Sequence, residues 1–332
     1  MQLFFKNVGV ALEQLIVLYL IVGAGVAAER LKWFREATAR QCSNLLFFVI
    51  TPCVIVRSFA TIEYNEKNVR GFLISVGCGL LLHALGVVIT EPFFRGKDNA
   101  RESVLHFASM YGNCGYMALP LAQAMVGNDG VFYCSAVILT YQVYSFTHGA
   151  FTMSGGKIDF RRKTLDVRQE TANGDKVPKF KWKNLVLNAG VLSVLVGLPL
   201  FLFQIPLPEL LLRPIDYVAS MNTPLAMLMF GAYLSRTKFR GFLQNKKIFV
   251  AFAIKLFVLP GIVMGSLLLF GVRGALLNAL LISASAPSAN NTVVFAAKFG
   301  RDPGYAAQVV GLMSMISVVT MPLMIAVGLS IR

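Results

Sequence analysis

Apolar residues arrive in long runs along this chain, and polar residues collect in short stretches between them. Ten runs stand out, at 8–28, 41–60, 70–90, 102–126, 131–152, 184–205, 214–235, 247–270, 274–298 and 304–330. A helix of roughly 20 apolar residues is long enough to cross the hydrocarbon core of a bilayer. The pattern therefore predicts an all-α integral membrane protein with ten transmembrane helices. The first run is long and is followed by Glu29-Arg30 rather than by a small-residue cleavage site, so no cleavable signal peptide is expected.

The two halves of the pattern echo each other. Ile50-Thr51-Pro52 and Asn222-Thr223-Pro224 are offset by 172, and His83 shifted by 172 falls on Lys255. Val126-Gly127-Asn128-Asp129-Gly130 shifted by 173 meets Phe299-Gly300-Arg301-Asp302-Pro303. Each half carries its Thr-Pro in its second run and its Gly-x-Asp after its fourth. The expected organisation is a first five-helix repeat over 1–152, a linker over 153–183 and a second repeat over 184–332. Five spans per repeat is odd, so the second repeat must be inverted relative to the first.

Composition agrees: 56 % of residues are hydrophobic and 14 % charged, against roughly 25 % charged in a soluble domain. The net charge of +15 is orientation signal rather than a nucleic-acid footprint. Loops after odd-numbered runs hold 23 Lys and Arg residues, whereas the opposite loops and both termini hold 6. Positive loops stay inside, which predicts cytoplasmic odd-numbered loops, including 153–183, and external termini. The linker, with Ser154-Gly155-Gly156 and a Lys/Arg-rich run, reads as a partly disordered spacer or a regulatory docking segment.

Catalytic and metal chemistry find no support. Cys42, Cys53, Cys78, Cys114 and Cys134 lack CxxC spacing and read as small core residues. The histidines are scattered, and no P-loop, Gly-x-Ser-x-Gly or His-Glu-x-x-His occurs. No enzyme activity, metal or cofactor is expected.

The fourth and ninth runs are poor helix material. Residues 109–120 contain Gly112, Asn113, Gly115 and Pro120; residues 283–292 contain Pro287, Ser288, Asn290, Asn291 and Thr292. Proline removes a donor and crowds the carbonyl four residues earlier, here those of Tyr116 and Ser283. Unwound backbone at membrane depth survives only against protein or a wet cavity, so the two breaks should face each other. Half-helices starting there would aim partly positive N-termini into a shared cavity, which suits an anion. Paired broken segments of this kind mark a transporter's binding site. Candidate substrate contacts are Asn113, Cys114, Gly115 and Pro120, with Pro287, Ser288, Asn290, Asn291 and Thr292.

Ionisable residues within spans are functional hypotheses by default. Lys255, His83, Arg57 and Glu13 are candidates for charge or proton coupling, each against a plainer account. Lys255 could snorkel to the nearer surface. Arg57 could pair with a backbone carbonyl or reach outward, and Glu13 lies near the outer end of the first run. His106 and His148 are less certain in depth. Deep carboxylates are nearly absent, which weakens a sodium site of acidic side chains but leaves carbonyl and hydroxyl coordination open.

Gly112-Asn113, Ala118-Leu119-Pro120-Leu121 and Ala124-Met125-Val126-Gly127 resemble the fourth helix of the auxin efflux carrier family, which includes plant PIN transporters and bacterial permeases assigned to malate or malonate. Pro224 through Leu234 resembles its seventh helix, and Lys255-Leu256-Phe257-Val258-Leu259-Pro260 its eighth. Pro287 with Val294-Phe295-Ala296, and Ser317 through Pro322, resemble the ninth and tenth. The resemblance covers nearly everything except 153–183.

It implies two inverted five-helix repeats with broken, crossing helices 4 and 9. It also implies a scaffold of helices 1, 2, 6 and 7 and a transport domain of helices 3–5 and 8–10, moving like an elevator. The family's crossover asparagine maps onto Asn113 and the first proline of its ninth helix onto Pro287. A second proline of plant members is replaced by Thr292, and the 153–183 loop is short. Both departures favour a small organic anion over auxin, in a bacterial inner-membrane permease. Coupling to H+ or Na+, contact with membrane lipids and a homodimer are compatible with this reading; nucleic acid is not an expected partner. Rival readings are a sodium-coupled bile-acid-type symporter, an anion channel and a membrane sensor.

Overall fold

The computed structural model describes residues 2–34, 36–94, 100–155, 189–236 and 246–330. Among these the chain is helical throughout, with no strands. In the first half α1 is Gln2–Arg30, α2 Glu36–Leu45, α3 Thr51–Thr61, α4 Glu66–Thr90 and α5 Ala100–Met110. It continues with α6 Leu119–Val126, α7 Asn128–Tyr144 and α8 Ala150–Met153. The second half holds α9 Ala189–Leu202, α10 Glu209–Ser220, α11 Asn222–Arg236, α12 Lys246–Ala253 and α13 Leu259–Leu269. It ends with α14 Gly274–Ser285, α15 Asn291–Lys298 and α16 Pro303–Ser330.

Among the described residues, four helical stretches are long and apolar enough to cross a membrane: Gln41–Thr61, Glu66–Thr90, Lys246–Leu269 and Pro303–Gly328. Surface and interior are sorted as lipid would sort them. Leu20, Leu73, Val88, Leu269 and Val319 are exposed, whereas Ser75, Thr90, Ser135 and Ser285 are fully buried. Each buried hydroxyl donates to the carbonyl four residues back in its own helix: Ser75 to Gly71 at 2.7 Å, Thr90 to Gly86 at 2.6 Å, Ser135 to Val131 at 2.7 Å and Ser285 to Leu281 at 2.6 Å. That local bond satisfies a hydroxyl where water cannot reach it.

Prolines widen helices here instead of ending them. π-turns at Leu46–Ile50, Cys114–Ala118 and Ile254–Val258 lead directly into Pro52, Pro120 and Pro260. In each, the residue before the proline donates to the carbonyl five back: Thr51 to Leu46, Leu119 to Cys114 and Leu259 to Ile254. The wider turn makes room for the ring and keeps the backbone paired. Pro120 was expected to help break the fourth segment. The break instead lies upstream, between Met110 and Cys114, and Pro120 begins an intact α6.

Two other expectations are corrected. The linker was placed from residue 153, but α8 runs through Met153, and Ser154 and Gly155 remain buried; residues 156–183 lie outside the described residues. The seventh run, 214–235, starts earlier, at Glu209, and is divided at Met221 into α10 and α11.

Glycine sets the closest helix contact. A Cβ on Gly25 of α1 would fall 2.1 Å from the Leu228 carbonyl oxygen of α11, and one on Gly231 would fall 2.0 Å from that of Val22. The two backbones touch reciprocally, as small residues permit in membrane helix pairs. α9 packs on α3, where Gly197 faces Phe59. α4 packs on α7, and α14 packs on α7, α13 and α16.

Candidate functional site

The two breaks meet. After α5 the chain leaves the helix over Tyr111–Asn113, turning tightly at Asn113 (φ −79°, ψ 65°), and after α14 it leaves the helix over Ala286–Ala289. Ala286 takes the extended conformation (φ −57°, ψ 134°) that a following proline imposes. The segments pair antiparallel: the Asn113 N–H donates to the Pro287 carbonyl at 2.7 Å, and the Ala289 N–H donates to the Tyr111 carbonyl at 2.9 Å. Backbone groups freed by unwinding thus satisfy one another, the condition for irregular chain inside a membrane.

Past the pairing, each chain re-enters helix. Asn113 caps its own half-helix, its side-chain oxygen accepting from the Tyr116 N–H at 3.1 Å. On the other strand the Ser288 and Thr292 hydroxyls bond each other at 3.0 Å, both buried.

A small cavity, about 40 Å³ as space for water centres, opens beside the crossover. Phe47 from the π-turn before α3 and Thr51 at the start of α3 line it, with residues 112–116 and 289–291 from the two breaks. Ile138, Tyr141 and Gln142 come from α7 and Gly190 from α9. No carboxylate contributes among the described residues. Of the predicted contacts, Asn113, Cys114, Gly115, Asn290 and Asn291 reach this cavity. Pro120, Pro287, Ser288 and Thr292 do not: Pro120 starts α6 and accepts from the Thr223 hydroxyl at 3.3 Å, and the others shape the backbone behind the wall.

Among the candidate charges, Lys255 is the one seated at the crossover. It is fully buried in the π-turn of Ile254–Val258, and its Nζ donates to the Ala284 carbonyl at 3.0 Å. A cation on the carbonyl end of α14 is favourably placed against that helix's dipole. Snorkelling to a surface is therefore not its role. Lys255 stands behind Gly112 and outside the cavity lining, so its charge would act through the backbone of the break.

His83, its mate at an offset of 172, is also buried, with Nδ1 2.6 Å from the Gly79 carbonyl and its ring stacked on Tyr111 and Tyr144. Arg57 and Glu13 lie elsewhere. Arg57 pairs with the Asp216 carboxylate at 2.6 Å, both partly exposed, rather than with a backbone carbonyl. Glu13 is exposed on α1.

Sequence reasoning passed over Tyr141 and Gln142. The Tyr141 hydroxyl accepts from Asn291 Nδ2 at 2.9 Å, tying α7 to the second break. Gln142 is buried, and its Oε1 has no hydrogen-bond partner among the described residues. A glutamine within an apolar span was the available signal. Two cysteines also approach the site. Cys114 lines the cavity, while Cys134 accepts from the Ser283 hydroxyl at 3.1 Å and lies against the Ala279 carbonyl.

A paired break beside a small cavity, in a chain with lipid-sorted surfaces, is the architecture of a carrier, and sequence comparison agrees. Residues 10–325 match the family described as membrane transport protein. A relative from Methanocaldococcus jannaschii, described as an uncharacterized transporter, is 24 % identical over 304 residues, covering 88 % of this chain and 91 % of its own length. The chain belongs to the auxin efflux carrier family of membrane transport proteins.

Proposed function

We propose that this protein is a secondary transporter that moves a small organic carboxylate across a cytoplasmic membrane by an elevator-type mechanism. One observation carries the reading: two half-helices end in a backbone-paired crossover beside a cavity, with a buried ammonium behind it and no carboxylate among the described residues of its wall. The sign of that environment favours an anion, and its size favours a small acid over an indole acid.

In this reading ten helices form two inverted repeats, with α5 and α6 as the broken fourth helix and α14 and α15 as the broken ninth. α1 against α11 and α3 against α9 would make the scaffold. The bundle around α4, α7, α14 and α16 would carry the substrate. The tightest glycine contacts support that division, Gly25 with Leu228 and Gly197 with Phe59 in one group and Gly71 with Tyr133 in the other, while α1 also meets α16, where the Tyr19 hydroxyl donates to the Val318 carbonyl at 2.6 Å. Both termini would face outward and 153–183 inward. A cysteine placed at Asp175 would then resist an impermeant reagent in intact cells and react after permeabilisation.

The deciding experiment is counterflow in proteoliposomes, with labelled malonate and malate against a panel of carboxylates and indole acids. Saturable exchange of one small carboxylate supports the reading. Sodium-dependent uptake would favour the symporter alternative, and unsaturable conductance a channel.

A further inference from the structure

A second space lies away from the crossover, in a furrow where α4 and α13 pack side by side. It holds about 360 Å³ as space for water centres, far more than the cavity beside the crossover. Arg70, Ile74 and Leu81 line it from α4, and Val263, Ser266 and Phe270 from the second helix and its end. Leu259, at the start of α13, lies beside Gly86 late in α4, so the two helices run antiparallel. Arg70 and Phe270 therefore share one end of the furrow, and Leu81 and Val263 the other. Arg70 to Leu81 is eleven steps of helix, about 16 Å at 1.5 Å per residue. That is about half of a hydrocarbon core roughly 30 Å thick, the depth of one leaflet.

Arg70 and Ser266 are the polar side chains in a wall otherwise made of aliphatic, Phe, Gly and Cys residues. Neither has a hydrogen bond or ion pair from its side chain to any described residue. Arg70 is exposed at the mouth, and Glu66 sits one turn earlier on α4 without pairing with it. Arg273, just beyond α13, adds positive charge at the same end, although its guanidinium is turned onto the Leu268 and Val272 carbonyls at 3.2 and 2.9 Å. Halfway along, Gly77 faces the furrow, and a Cβ there would meet nothing within 4 Å. The shape is thus an open apolar slot one leaflet deep with an unpaired guanidinium at its rim.

We propose that the α4–α13 furrow is a binding site for one anionic glycerophospholipid, with an acyl chain laid along the slot and its phosphate on Arg70. A guanidinium presents paired donors that match a phosphate bidentately. A lipid of any kind would meet this surface in a bilayer, but an unpaired cation at headgroup depth makes occupancy depend on charge. A zwitterionic headgroup brings its own cation to compete with Arg70, whereas an anionic one does not. Other occupants fit less well. A small soluble anion would use Arg70 and leave the length of the slot unfilled, and an extended peptide would leave its backbone groups unpaired against an apolar wall. The furrow shares no lining residue with the cavity beside the crossover, so the inference stands apart from the transport reading.

The test uses the full chain in detergent, offered equal amounts of phosphatidylglycerol and phosphatidylcholine with the same acyl chains, and reads retained lipid by native mass spectrometry. The wild type should keep one phosphatidylglycerol per chain, about tenfold in preference to phosphatidylcholine, the scale of one charge-assisted hydrogen bond. Arg70→Gln should erase that preference while leaving residual retention of both lipids. Gly77→Phe, whose ring would fill the slot, should lose the retained lipid whatever its headgroup. Equal retention of the two lipids by the wild type would overturn the proposal. So would an unchanged preference in Arg70→Gln, undiminished retention in Gly77→Phe, or release of the lipid by excess glycerol phosphate. A measurement on the wild type alone covers any variant that fails to fold. Phosphatidylglycerol carrying a diazirine midway along one acyl chain, in nanodiscs, should label peptides containing 70–81 and 263–272 above all others. Labelling spread evenly over the lipid-facing helices would rule out a specific site.

Discussion

The Nζ of Lys255 occupies the space beside Gly112, so that a Cβ on Gly112 would stand 2.9 Å from it and 3.2 Å from the Ala286 carbonyl oxygen. The break in α5–α6 is therefore shaped around an ammonium group. Gly112→Ala should push that group off the Ala284 carbonyl and lower apparent anion affinity by about tenfold, the equivalent of roughly 1.4 kcal/mol. Lys255→Met removes the charge at similar length and also removes the cost of burying it. Melting temperature should hold or rise in Lys255→Met while anion flux falls to background. Lys255→Arg is no benign control, because the larger guanidinium must fit the same enclosed space. Undiminished flux in Lys255→Met, measured as counterflow, would remove Lys255 from the mechanism.

Asn113 has two separable tasks, capping a half-helix and facing the cavity. Asp is as good an N-cap as Asn, whereas Ala forfeits about 1 kcal/mol. Asn113→Asp should keep the melting temperature near wild type but place a carboxylate against an anion, abolishing counterflow. Asn113→Ala should lose transport and melt a few degrees lower. Equal transport loss with an equal melting drop in both would mean that Asn113 serves the fold alone.

Gln142 carries a buried carbonyl oxygen without a partner among the described residues, a situation that costs of order 1–3 kcal/mol. Such a cost in a cavity wall suggests a group kept for a ligand. Gln142→Leu should raise the melting temperature by a few degrees and weaken carboxylate binding in a thermal-shift titration. A variant that is both less stable and fully active would refute this assignment.

Gly231 admits no side chain against Val22. Gly231→Val should wedge α1 from α11 and destabilise the protein by about 1–3 kcal/mol or more, as overpacking does. The effect should appear as a lowered midpoint in detergent unfolding, and neither Gly231 nor Val22 lines the cavity. Gly23→Val, where a Cβ meets nothing within 4 Å, is the matched control and should be tolerated.

Much was legible before any coordinates. Run length and charge placement set a membrane protein, since a bilayer demands continuous apolar helix and loops carry the orientation signal. Gly, Asn and Pro in the fourth and ninth runs marked two breaks because each residue type weakens helix locally. Such properties are written within a few residues of chain. What tertiary structure alone decided is who meets whom. That Pro120 would be absorbed by a π-turn depended on a backbone donor reaching five residues back. That Arg57 would pair with Asp216 depended on α3 lying near α10. Gln142 looked like any polar residue until α7 carried it to the cavity. Contacts between distant segments depend on helix rotation and close approach, and those follow from packing the whole bundle at once.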